Sequence, residues 1–173
     1  LALVAFFAMT GAAMAENYAA GKAGLYMPTD SDLDSGLNFE AAYGMEVSDT
    51  LIGEFALGYA TADMDISGVD GDVTLTSISA AALYPIDMDT FEVRVGGGLG
   101  LYMWDYEAKM KTVFGTFTAE DDGTEFGFFV QGDAIYELSD GMGLIGEVKY
   151  SIVDADGTDA GGLALNVGLQ FAL

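Results

Sequence analysis

The chain has no cysteine and no histidine, only two prolines, and only five basic residues among 173. The first two absences exclude disulfides, zinc sites of the usual Cys/His kind, and thiol or imidazole catalysis. Five Lys and Arg against 28 Asp and Glu give a formal net charge of −23. Such a surface repels a polyanion, so nucleic acid is excluded as a partner. No apolar run after position 15 approaches the roughly 18–20 residues of a transmembrane helix. Apolar residues and glycine are plentiful instead, at 51% and 24 residues. Apolar content that high opposes disorder despite the charge, and the length suits one core or one closed barrel.

Residues 1–15, LALVAFFAMTGAAMA, carry no charge and end in Ala13-Met14-Ala15, an A-x-A cleavage pattern. At about 15 residues the stretch is too short to span a bilayer, and it reads as the remnant of a cleaved secretory signal peptide. The expected organisation is therefore a leader over 1–15 and one domain over 16–173.

Within that domain the dominant period is two, the signature of half-buried strands. In 163–173, Leu163, Leu165, Val167, Leu169, Phe171 and Leu173 alternate with Ala164, Asn166, Gly168, Gln170 and Ala172. Segments 37–47, 91–104, 125–138 and 143–153 alternate in the same way, and 20–27 and 51–61 do so more weakly. An eighth strand, 73–84, leaves its facing open, because the Val73/Leu75/Leu83 and Ile78/Ala80/Tyr84 sets are both apolar. Short turns are expected at 48–50, 85–89 and 139–141, and longer acidic loops at 28–35, 62–71, 105–123 and 154–161. An even number of antiparallel strands, with short turns at one end and long loops at the other, is the plan of an outer-membrane barrel.

Charge distribution decides which face looks outward. In the clear strands every charged residue falls on one face: Glu40, Glu46, Glu92, Arg94, Glu125, Asp133, Glu137, Glu147 and Lys149. An eight-stranded lumen has room only for packed side chains, so the bulky apolar face belongs in lipid and the small, charged face inside. A secreted soluble barrel of lipocalin type, binding an apolar ligand, would have the opposite facing. Tyr26, Tyr59, Phe91, Tyr136, Tyr150 and Phe171, near strand ends, suit interfacial girdles.

The stretches AGKAGLYMPT (20–29), GLNFEAAYG (36–44), VGGGLGLYMW (95–104) and LALNVGLQFAL (163–173) carry a resemblance. Over residues 16–173 the sequence resembles the small Gram-negative outer-membrane β-barrels of the OmpA/OmpX/OmpW-like grouping. The resemblance implies an eight-stranded antiparallel up-and-down transmembrane barrel in the bacterial outer membrane. It further implies contact with outer-membrane lipid and lipopolysaccharide, and insertion by the outer-membrane assembly machinery through an alternating C-terminal signal. Here that signal is Leu169, Phe171 and Leu173, with Leu in the last position where the grouping usually has Phe. Enzymes of this architecture work with histidine-containing sites, and this chain has none.

No catalytic set and no cofactor are expected. Lys22, Arg94 and Lys149 are the bases expected inside, facing Glu40, Glu54, Glu92, Asp133 and Glu147. Desolvated charges must pair, so this set is expected to form a charge network across the lumen. It would act either as a permanent plug or as a gate, with Arg94 and Lys149 switching partners in a small pore for ions or solutes. Asp30/Asp32/Asp34, Asp63/Asp65 and Asp154/Asp156 resemble the start of a calcium loop but lack its bidentate Glu. Turn-forming Asp is the simpler role; a loose divalent site bridging to lipopolysaccharide phosphates is the alternative. The expected function is structural or surface-interacting, through the acidic loops.

Overall fold

A computed structural model describes residues 17–63, 69–112, 115–155, 158–159 and 161–173, so the leader expected over 1–15 lies outside the described residues. Eight long strands follow one another: β1 (Asn17–Pro28), β2 (Gly36–Ser48), β3 (Leu51–Asp63), β4 (Val69–Asp87), β5 (Glu92–Thr112), β6 (Gly115–Ser139), β7 (Met142–Ala155) and β8 (Gly162–Ala172). Each pairs antiparallel with the next, and β8 pairs back onto β1 from Tyr18↔Ala172 to Pro28↔Gly162, which closes the sheet into a barrel. A two-residue strand, Thr158–Asp159, folds back onto the end of β7. The start of β1 and the end of β8 meet at the short-turn end, where the Leu173 amide donates to the Asn17 carbonyl at 2.9 Å. Gly141, with φ of 78°, makes the tight β6–β7 turn that a side chain would strain.

The apolar face looks outward. Phe126, Phe128, Leu57, Leu99 and Val167 are 80, 66, 60, 57 and 57% exposed, whereas Lys22, Glu54, Asp133 and Glu147 are at most 4% exposed. That facing removes the soluble lipocalin-like alternative, which requires the large side chains inside. It also settles β4: Ile78, Ala80 and Tyr84 face out, and Leu75, Ser79 and Leu83 face in. Tyr26 departs from the expected girdle. It is buried on the inner face, packed with Leu75, Tyr102 and Val153 near the loop end of the lumen. Tyr59, Phe91, Tyr136, Tyr150 and Phe171 do stand outward.

Within the segments expected as loops at 62–71 and 105–123, all the described residues (62–63, 69–71, 105–112 and 115–123) are strand. Pairing of β5 with β6 runs on through Asp105↔Asp122 and Glu107↔Glu120 to Thr112↔Gly115. The backbone ladder needs no apolar side chains once it projects beyond the apolar band, so acidic composition misleads here. At 19, 21 and 25 residues, β4, β5 and β6 far exceed the roughly 9–11 residues of a membrane-crossing strand. Cross-strand rows on their outer face pass from Leu57–Ile78–Leu101–Phe126, through Tyr59–Thr76–Met103–Thr124 and Thr61–Thr74–Asp105–Asp122, to Asp63–Asp72–Glu107. The wall changes from apolar to acidic within three steps.

Inward glycines let neighbouring strands approach closely. A Cβ on Gly98 would lie 1.9 Å from the Ala80 carbonyl oxygen of β4, while one on outward-facing Gly21 would meet nothing within 4 Å. Gly98→Ala should therefore cut refolding yield several-fold, scored as the folded band of unboiled protein on a gel, and Gly21→Ala should refold like the parent. Equal yields would show that the barrel tolerates a wider β4–β5 spacing.

Candidate functional site

The charged lumen is built from alternate positions on seven of the eight strands. β1 supplies Tyr18 and Lys22, β2 Asn38 and Glu40, β3 Glu54, β5 Glu92 and Arg94, β6 Gln131 and Asp133, β7 Glu147 and Lys149, and β8 Asn166 and Gln170. Two apolar clusters flank the Lys22 part of it. Tyr18, Ala20, Ala42, Ile52, Ala56 and Leu83 pack toward the short-turn end. Tyr26, Ala60, Leu75, Tyr102, Val153 and Ala164 pack toward the loop end.

Lys22 is the hub. Its Nζ lies 2.5 Å from Glu40 Oε1 and 4.0 Å from Glu54 Oε1, and it donates to Glu147 Oε2. Lys149 donates to Glu40 Oε2, lies 3.7 Å from Glu147 Oε2, and sits 5.1 Å from the Phe129 ring centre. Oxygens of Glu40, Glu54 and Glu147 come within 4.8 Å of one another, the only such set of three acids among the described residues. A cluster of that size has the spacing of a cation site, and the Lys22 ammonium contacts all three of its members.

Arg94 sits nearer the short-turn end. It donates from Nε to Glu92 and from Nη1 to Gln170 Oε1 at 2.9 Å, with its guanidinium 4.3 Å above the Tyr18 ring. Tyr18 in turn donates to Glu54 Oε2 at 2.6 Å. Asp133 has no base within ion-pair distance among the described residues. Gln131 holds it instead, donating from Nε2 to Asp133 Oδ2 at 3.2 Å and to Glu54 Oε1 at 2.9 Å. Asn38 donates to Asn166 at 2.9 Å, and Asn166 to Glu147 Oε1 at 2.8 Å. The structure thus brings all eight expected lumen residues into one connected polar network, in two linked groups around Lys22 and Arg94.

Sequence reasoning missed the neutral members. Tyr18 precedes the expected start of its strand, although its parity matches Lys22. Gln131, Asn38, Asn166 and Gln170 occupy inward positions by alternation alone. Above the ion cluster lies a cavity of about 40 Å³ lined by Asn38, Glu40, Ser77, Tyr102, Lys149 and Ser151. At the short-turn end an open bowl of about 690 Å³ has Arg94, Glu92, Glu137 and Gln170 in its wall.

Four of the seven candidate divalent positions, Asp30, Asp32, Asp34 and Asp63, are described with their side chains. Asp30 Oδ1 accepts the Asp32 amide at 2.9 Å, a turn-forming bond, and the Asp34 amide donates to the Asp63 carbonyl at 2.8 Å. Asp65 and Asp156 lie outside the described residues. Asp154 pairs with Asp159 through the backbone. Leu169, Phe171 and Leu173 all stand outward on the last strand and just beyond it.

The model of the outer membrane protein beta-barrel domain matches residues 1–171. Among solved structures, Neisserial surface protein A is 18% identical with a TM-score of 0.60, over 92% of this chain and 99% of that one. A major outer membrane protein from Thermus thermophilus is 14% identical with a TM-score of 0.68, over 92% and 99%. Ail of Yersinia pestis, in complex with the heparin analogue sucrose octasulfate, is 17% identical with a TM-score of 0.56, over 91% and 98%. At these identities the likeness is one of fold. Among curated proteins, none matches the chain.

Tyr18→Phe keeps the ring under Arg94 and deletes one donor to buried Glu54. The expected loss is about 1–3 kcal/mol of stability in lipid vesicles, read from the urea midpoint at unchanged slope. No shift of the midpoint would show that Glu54 Oε2 does not depend on the Tyr18 hydroxyl.

Proposed function

The chain belongs to the outer membrane protein beta-barrel family and resides in the bacterial outer membrane, and from that premise we propose a non-enzymatic barrel with a closed lumen whose work is done at the cell surface. The observation that carries this reading is the filled interior. A polar network bonded across seven strands fills the lumen, apolar clusters pack against it toward both ends, and the cavity beside the ion cluster is only about 40 Å³. That volume holds a few waters, not the hydration shell of a passing ion. To open a path, Lys22 and Lys149 would have to leave carboxylates that are buried with them.

The outer ends of β4–β6 supply the surface. They project well past the apolar band and hold Asp70, Asp72, Asp105, Glu107, Glu120, Asp121 and Asp122, against Lys109 and Lys111. We assign surface contacts to this acidic wall, with divalent cations as the bridge where lipopolysaccharide phosphates approach it. Leu169, Phe171 and Leu173 would serve as the assembly signal, and residues 1–15 as the export leader. The absence of both His and Cys from the sequence supports a non-catalytic role.

The test is single-channel recording of the folded protein in planar bilayers, with Arg94→Ala alongside. Silence from both proteins, shown to be inserted by protease protection, is the expected result. Discrete steps in the parent that change size or open probability in Arg94→Ala would replace the closed barrel with a gated pore.

A further inference from the structure

The outward wall is not uniformly bulky. On either side of β8 the outer face is hollowed, and the two hollows share Val167 as a rim. One, of about 740 Å³, has Gly21, Ala23 and Ala41 in its floor. The other, of about 360 Å³, has Ala134 and Gly146 in its floor. Register places them together: Ala134, Gly146, Val167 and Ala23 lie in one cross-strand row, and Leu144, Leu169, Gly21 and Ala41 in the next. Val167 and Leu169 thus form a ridge, 57 and 40% exposed, with a hollow on each flank.

Internal packing does not require these glycines. A Cβ on Gly21 or on Gly146 would meet nothing within 4 Å. The space is therefore an outward recess, continuous with the wall that the outer membrane covers. A void against hydrocarbon forfeits the contacts of its lining, so something flexible and apolar must fill it. Lys22 and Glu40 behind the larger hollow turn their side chains into the lumen, and the only polar groups standing outward around the two hollows are the hydroxyls of Tyr59 and Tyr136.

Height selects the leaflet. Gly21 is the fifth residue of β1 and Gly146 the fifth of β7, and both strands begin at the short-turn end. Four steps along a tilted strand come to roughly 13 Å of chain and less in depth, within the periplasmic half of a hydrocarbon core of about 30 Å. Width selects the ligand. The two floors are separated by β8, about two strand spacings or roughly 10 Å, which suits two chains straddling a ridge. A second copy related by a two-fold axis could press its ridge into one hollow of each barrel and would leave the other empty.

We propose that the paired hollows seat the two acyl chains of one phospholipid of the periplasmic leaflet, clasped over the Val167–Leu169 ridge. This inference rests on membership of the outer-membrane family and not on the closed lumen, so it stands or falls separately from the conductance result.

The test is native mass spectrometry of the full protein released from nanodiscs holding equal amounts of phosphatidylethanolamine and lipopolysaccharide. One phosphatidylethanolamine retained per barrel is the expected result. Gly21→Leu/Gly146→Leu should lower the lipid-bound fraction several-fold while the folded band on an unboiled gel is unchanged. Each single substitution should give a partial loss, which decides the question if the double variant folds poorly. Equal retention by parent and variants, preferential retention of lipopolysaccharide, or a dimer in place of a lipid-bound monomer would each overturn the proposal.

Discussion

The contact on which the rest of the structure depends is the one between the Lys22 ammonium and the carboxylates of Glu40 and Glu147. An ammonium taken out of water is tolerable only when carboxylates and further hydrogen bonds replace its hydration. Here those partners come from β2 and β7, on opposite sides of β1 and its neighbour β8, so the contact is a closure contact. It forms only when the sheet has curled far enough to bring residues 125 positions apart within hydrogen-bonding reach. A buried ion pair is poor evidence for net stability, but it discriminates strongly between registers. A slip of one residue in β1 would turn Lys22 toward lipid and leave three acids without it.

The same constraint explains the composition of both faces. A lumen filled by charged groups has no room for large apolar side chains at mid-height, so these go outside. There the hydrocarbon accepts Phe126, Phe128 and Leu57 at no cost in hydration. Where the interior does hold apolar groups, they cluster toward its two ends, and the Lys22 cluster between them is buried from solvent. That burial strengthens each pairing and raises the penalty for losing one. From the apolar band the outer rows turn acidic within three steps, so the wall itself marks where lipid ends.

Much of this is legible in the chain because alternation and charge are local signals. Strict period two in 37–47 and 163–173 specifies both strand and facing. The parity of Lys22, Glu40, Glu54, Arg94 and Glu147 is enough to put them on one face. Segment 73–84 is illegible by the same criterion, because its ends meet the two apolar clusters of the lumen. Leu75 and Leu83 point in while Ile78 and Tyr84 point out. Tyr26 misleads for the same reason, being an aromatic residue in an inner cluster. The acidic stretch 105–123 reads as loop, since nothing in its composition shows that a ladder of backbone bonds continues through it. Pairing lies furthest from reach. Which acid meets Lys22, and that Gln131 rather than a base holds Asp133, follow from the stagger of the closed barrel, which no single segment encodes.

The most direct test of Lys22 as the closure contact is a double-mutant cycle on unfolding in lipid vesicles, with Lys22→Met, Glu147→Gln and the two combined. Lys22→Met alone should cost about 3–5 kcal/mol, because it strands buried carboxylates. The combined variant should cost less than the sum of the two by more than about 1 kcal/mol. Costs that add within about 0.5 kcal/mol would contradict the account, since the two side chains would then contribute independently and the lumen would not be held as one unit.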